Sequence, residues 1–308
     1  MSKLLLTFLL AAGAIAPCQA QQVQAQQARA PQVQVLGQDP LSDAILVQGI
    51  REPRKEIGRF VDALTDAPFL GQLSRFDWAV CPAAVGLVEA QNAKIARRLR
   101  EVAKAAAIPV ARPGCKPNVL LIVTGDKRGL IGQLRRKYPA YFEGVSFSEI
   151  ERMMRDSSPV AAWHVEGRLD ADGIAVKRDV ITGQEIIERT DAPSRLSTAS
   201  RPHFIASIVV VDTHSLAGLT ATQLADYAAM RAFARTDPRR LGTSIAPTIL
   251  SVIEAPMNSS VPPTLTEWDL AFLKSLYASD PNVRASRQRG EMKQIVRRTV
   301  QGERKGDE

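Results

Sequence analysis

Cysteine and histidine are both scarce in this chain of 308 residues: there are three of each, and aromatic residues make up only 5%. Three cysteines exclude a disulfide-dense scaffold, and three histidines leave little room for a multi-histidine metal centre. No stretch after the first twenty residues approaches the ~18 uncharged apolar residues of a membrane span. The longest such run, around Phe204 to Val211, has the length of a strand. A deficit of apolar residues, by contrast, is not among the shortages. Hydrophobic residues are 45% and charged residues 23% of the chain, which excludes a largely disordered protein and allows one large core or two smaller ones. Forty Lys and Arg against 32 Asp and Glu leave a formal charge of +8.

Met1 to Ala20 has the form of a secretory signal. Lys3 supplies the positive start, Leu4 to Ala16 the apolar run, and Pro17-Cys18-Gln19-Ala20 a small-residue cleavage site. Cleavage after Ala20 leaves 39 basic and 32 acidic residues, a charge of +7. Cys18 invites a lipoprotein reading, but Pro17 before it fits a lipobox poorly. Once Cys18 is removed, Cys81 and Cys115 remain. An even pair in an exported chain is expected to form one structural disulfide. Two buried free thiols are the competing reading. Closing a 34-residue loop is worth roughly 3 to 4 kcal/mol in the chain-entropy model. The expected location is periplasmic or secreted, with no transmembrane helix after cleavage.

Residues 21–40 form a Gln-rich leader, with eight glutamines between Gln21 and Gln38, and residues 301–308 a polar tail. One globular domain is expected over 41–300. Helical spacing predicts Pro53 to Leu64, Glu89 to Ala107, Lys127 to Tyr138, and Ser146 to Arg155, the last opened by a Ser146/Glu149 capping pair. Strands are expected at Phe76 to Cys81 and at Asn118 to Thr124, whose unbroken apolar run suits a central position. Ala161, Trp163 and Val165 then alternate. Asp172-Gly173 and Thr182-Gly183 read as hairpin turns, the second leading to Ile186 and Ile187. After a Ser/Thr-rich loop, Ser194 to Ser200, comes the strand Phe204 to Val211. A helix capped by Thr220 and Gln223 runs to about Arg235, and further helices are expected at Ala246 to Ile253, Glu267 to Ala278 and Gln288 to Val300. This order specifies an α+β fold: one mixed sheet with hairpins, packed by helices, and a helical C-terminal part.

Few motifs carry chemistry. Counted as a calcium loop from Asp170, positions six and twelve hold Ala175 and Ile181 in place of glycine and glutamate, so Asp170 and Asp172 read as turn residues. Gly125-Asp126-Lys127-Arg128-Gly129 lies where a phosphate loop would, but lacks its Gly-Lys-Ser/Thr ending. No cofactor is expected. His164, His203 and His214 are scattered, and no Gly-x-Ser-x-Gly elbow supports a serine triad. The candidates for a dispersed hydrolase site are Asp212, His214 and Asp226, which bracket a strand-to-helix junction. Cationic clusters occur at Lys127 to Lys137 and Arg284 to Arg298. In the second, Arg287, Arg289, Lys293, Arg297 and Arg298 could contact an anionic envelope surface. Without interleaved aromatics this cluster does not suit nucleic acid.

The strand Phe204 to Asp212, the helix Thr220 to Arg235 and the segment Leu265 to Tyr277, with its Thr266-x-x-Asp269 and Leu273-x-x-Leu276-Tyr277 spacing, carry a resemblance. The chain resembles an uncharacterised exported alphaproteobacterial family and, more distantly, a bacterial domain of unknown function with a zincin-like fold. The resemblance implies a metallopeptidase-type layout in which the helix after the strand would bear the zinc motif. Here that helix reads Gln223-Leu224-Ala225-Asp226-Tyr227-Ala228-Ala229-Met230, without His-Glu-x-x-His. A functional zinc peptidase is therefore not expected. The leading expectation is a non-catalytic exported domain of the cell envelope that binds an envelope-protein partner or serves as a scaffold; the alternatives are the dispersed hydrolase and a cationic binder of anionic envelope surfaces through the last helix.

Overall fold

The computed structural model describes residues 53–65, 71–170, 172–179, 182, 184–186, 199–242, 244–256 and 259–302. The expected signal peptide, the leader, most of the polar tail, Ile187 and most of the Ser194 to Ser200 loop lie outside the described residues. Seven α-helices and six strands follow one another as α1 Pro53–Leu64, β1 Pro82–Val85, α2 Glu89–Ala105, β2 Val119–Thr124, α3 Lys127–Lys137, α4 Phe147–Arg155, β3 Val160–Asp170, β4 Lys177–Arg178, β5 Glu185–Ile186, β6 Ser200–Asp212, α5 Ala221–Phe233, α6 Glu267–Ala278 and α7 Ala285–Val300 among these residues.

Four strands form one mixed sheet in the order β1-β2-β6-β3, with β1, β2 and β6 parallel and β3 antiparallel to β6. The α+β expectation holds. β2 and the second half of β6 run through the middle, and their side chains alternate between two cores. Val119, Leu121, Val123, Val209 and Val211 enter the larger core, which α1, α2, α5, α6 and α7 also fill. Ile208 and Val210 enter a smaller one under α3 and α4. A strand buried on both faces cannot afford polar alternation, and this explains the unbroken Val-Leu-Leu-Ile-Val run.

The hairpin signals are realised. The Asp170 carboxylate accepts from the backbone N–H groups of Asp172 (2.9 Å) and Ile174 (2.8 Å), and Gly173 takes φ 84°, a value that favours glycine. The Val176 N–H returns to the Arg168 carbonyl. β4 and β5 pair antiparallel beyond it, with the Thr182 N–H donating to Asp179.

Two expected elements are corrected. Phe76 to Cys81 is not a strand: apart from a single bridge between Val80 and Val110, strand pairing starts at Pro82. Phe76 and Val80 are apolar because they fill the core, and the Phe76 N–H meets the Tyr277 hydroxyl rather than a ladder partner. Ala246 to Ile253 is not a helix either, but one 3-10 turn at Ile249–Ser251. Pro247 lacks a backbone donor, and Asp269 takes both the Ile249 N–H (2.8 Å) and the Thr248 hydroxyl (2.5 Å), groups that a regular helix would orient differently. Cys81 and Cys115 are joined in a disulfide, with Cα atoms 6.1 Å apart. No helix among the described residues is long and apolar enough to cross a membrane.

Candidate functional site

The junction after β6 separates the hydrolase candidates. Asp212 caps a 3-10 turn, Thr213–Leu216, by accepting from the His214 N–H at 2.9 Å, and its same oxygen meets His214 Nδ1 at 2.7 Å. Partial burial works to raise the Asp212 carboxyl, but the two bonds from His214 outweigh it and hold the group below its ordinary value. The His214 side chain is 86% exposed. Asp226 lies elsewhere in chemical terms. It is fully buried on α5 and receives Arg98 Nε (2.7 Å) and Nη2 (3.1 Å), the Thr264 hydroxyl (2.7 Å) and the Leu265 N–H (2.7 Å). Among the described residues, no hydrogen bond or ion pair joins Asp226 to Asp212 or His214. A carboxylate with four donors inside a core is a tie between α2, α5 and the chain entering α6.

Asp269 is a second such tie. It closes the Thr266 capping box and holds the Thr248 turn, and burial pushes its carboxyl up to about 6 against four hydrogen bonds that favour the charged form. Thr220 and Gln223 form the same box at the start of α5. The loop that resembles a phosphate loop is also consumed internally. The Asp126 carboxylate occupies the start of α3 through the Gly129 N–H (2.7 Å), and a Cβ on Gly129 would lie 2.0 Å from that carboxylate. Lys127 Nζ donates to the carbonyls of Asp156 (2.9 Å) and Ser158.

The cations of α7 are mostly engaged. Arg287 pairs with Glu291 on its own helix, Arg289 reaches the Thr65 hydroxyl, and Lys293 pairs with Asp62 of α1 at 2.7 Å. Arg297 is half-buried, while Arg298 is exposed.

A further cluster of charge lies in a cleft of about 160 Å³ that sequence reasoning missed. Its floor is Val160 to His164 of β3, one of the two outer strands of the sheet. α4 and the residue after it contribute Glu149, Arg152 and Asp156 to one wall. The end of α5 and the chain beyond it contribute Arg231, Arg235, Asp237, Arg239 and Arg240 to the other. Two of these arginines are neutralised by neighbours. Arg239 forms a fork on Asp237 (3.0 and 3.1 Å) and reaches Asp156 at 2.7 Å, while Arg235 meets Glu166 at 2.7 Å. Arg231 differs: Nη1 donates to the Tyr227 hydroxyl at 3.0 Å, and Nε is sealed from solvent without an acceptor among the described residues. His164, at the floor, is buried with Nε2 3.0 Å from the Ala232 carbonyl and its ring stacked on Phe204. Burial, then the charge of Arg235, hold it down to about 3, so the ring is neutral at pH 7. The available signal was density, four arginines between Arg231 and Arg240, but their convergence with Arg152 is set by the fold.

Among the described residues, no group of three His, Cys, Asp or Glu side chains is placed to hold a metal ion. α5, where the resembled fold would bear its zinc motif, buries Asp226, Tyr227 and nearly all its other side chains. Comparisons with family models, with curated proteins and with solved structures give no match.

Proposed function

We propose that this chain is an exported, non-catalytic α+β domain that acts in the periplasm or outside the cell by binding a partner. The observation that carries the reading is the consumption of its interior carboxylates. Asp226 and Asp269 each satisfy several internal donors, and neither is left to move a proton on a substrate. The Cys81–Cys115 bridge supports an oxidising compartment, in line with the signal-like start of the sequence. The test is zinc stoichiometry by mass spectrometry together with peptide hydrolysis by the purified mature protein. No zinc and no turnover are expected; one tightly held zinc with turnover overturns the reading.

One observation favours a hydrolase instead. The Asp212–His214 pair has the form of a base with its orienting carboxylate, and the ring is accessible. Against it, among the described residues no serine or cysteine donates to His214, so a nucleophile would have to be water. Ester hydrolysis lost in His214→Ala would favour this second reading.

A further inference from the structure

We propose that the cleft between α4, the outer strand β3 and the end of α5 is a binding site for a small ligand bearing a phosphate or carboxylate group, held by Arg231 and Arg152. This rests on the binding reading above and gives that reading a ligand class.

The cleft holds five arginines against three carboxylates, an excess of two positive charges. That excess is not spread evenly. Asp156 and Asp237 are committed to Arg239, and the nearby Glu166 to Arg235, while Glu149 lies half-buried on the same wall as Arg152. Asp237 is near enough to Arg231 to feel its charge, but among the described residues no ion pair joins a carboxylate to Arg231 or Arg152. A guanidinium carries five donors in a planar fork suited to two oxygens of one anion. Among the described residues a neutral hydroxyl is the one acceptor on Arg231, and its buried Nε donor without a partner is costly. An oxyanion entering the cleft gives Arg231 a direct charged acceptor.

Size narrows the class. The cleft encloses about 160 Å³ above a floor whose Val160, Ala161, Trp163 and His164 are each more than nine-tenths buried, a space for a compact group rather than a protein surface. The neutral His164 adds no charge to the floor, and the arginines of both walls supply the attraction.

The test is isothermal titration of the mature protein with inorganic phosphate and, separately, with succinate, at constant ionic strength over a chloride background. One saturable site is expected for at least one of them, and the tighter anion names the phosphate or the carboxylate class. Arg231→Met and Arg152→Ala each weaken that binding by about tenfold or more. Arg298→Ala, on the exposed face of α7, leaves it unchanged. Circular dichroism reports whether Arg231→Met folds; if it does not, the exposed Arg152 keeps the test intact. No saturable binding of either anion, binding indifferent to Arg152→Ala, or binding lost in Arg298→Ala overturns the proposal. Its failure is distinguishable from failure of the non-catalytic reading: turnover or bound zinc removes the latter without altering the titration.

Discussion

At the scale of single residues, histidine proved informative through its surroundings rather than its number. His164 is neutral because it is buried beside Arg235 and Arg231, its pKa held to about 3 against about 6.5 in an unfolded chain. A depressed folded value means that the unfolded chain takes up the proton first. The stability this group contributes is complete above pH 6.5 and is lost as pH falls toward 3, by up to about 4 kcal/mol. Urea midpoints between pH 7 and pH 4 should therefore fall less steeply in His164→Gln than in the parent; equal slopes would remove the explanation. Asp269 works in the opposite sense, because its folded value is raised to about 6. Its share is present below pH 4 and lost as pH rises through 6, so comparison within each variant is needed to separate the two. Gly86 is a residue whose necessity is geometric. Its φ is 99°, and a Cβ there would lie 2.0 Å from the Val123 carbonyl oxygen. Gly86→Ala should lower the thermal midpoint by several degrees, consistent with a loss of about 2 kcal/mol or more. Nothing in the one-dimensional sequence separated this glycine from its neighbours, since the approach is made by another strand.

Among the elements, local signals served where local chemistry decides. α1 and α6 span the expected residues, and the Thr220–Gln223 box opens α5 because the capping bonds lie within one turn. The errors came where distant groups take over the backbone. Around Thr248 the Asp269 carboxylate overrides helical spacing, and at Phe76 the apolar positions serve the core without joining a ladder. A direct consequence follows for α6. Oδ1 of Asp269 accepts from Thr248, and Oδ2 from Ile249 and Thr266, so Asp269→Asn keeps one of these oxygens and turns the other into a donor facing donors. It should cost about 2 to 4 kcal/mol in chemical denaturation and expose the 244–256 segment to proteolysis first. A loss below 1 kcal/mol would show that these bonds are replaceable by water.

For the whole molecule, the mixed sheet and the cysteine pair were legible because periodicity and parity survive without coordinates. The bridge should matter energetically: Cys81→Ser with Cys115→Ser is expected to lose roughly 3 to 4 kcal/mol, and reduction of the parent protein should produce the same shift in its unfolding midpoint. The arginine cleft was not legible, because Arg152 and Arg231 stand 79 positions apart in the chain and meet only through β3. The three hydrolase candidates illustrate the converse, since proximity in sequence placed Asp226 near His214 while α5 turns it to Arg98. Two of the fully buried carboxylates, Asp226 and Asp269, are spent on the architecture of the fold, and its cleft carries a net cationic lining. Turnover of a panel of peptide and ester substrates by the mature protein and by His214→Ala, measured side by side, addresses this most directly. Rates equal to the buffer blank for both proteins are predicted; turnover by the parent that disappears in His214→Ala would contradict the account.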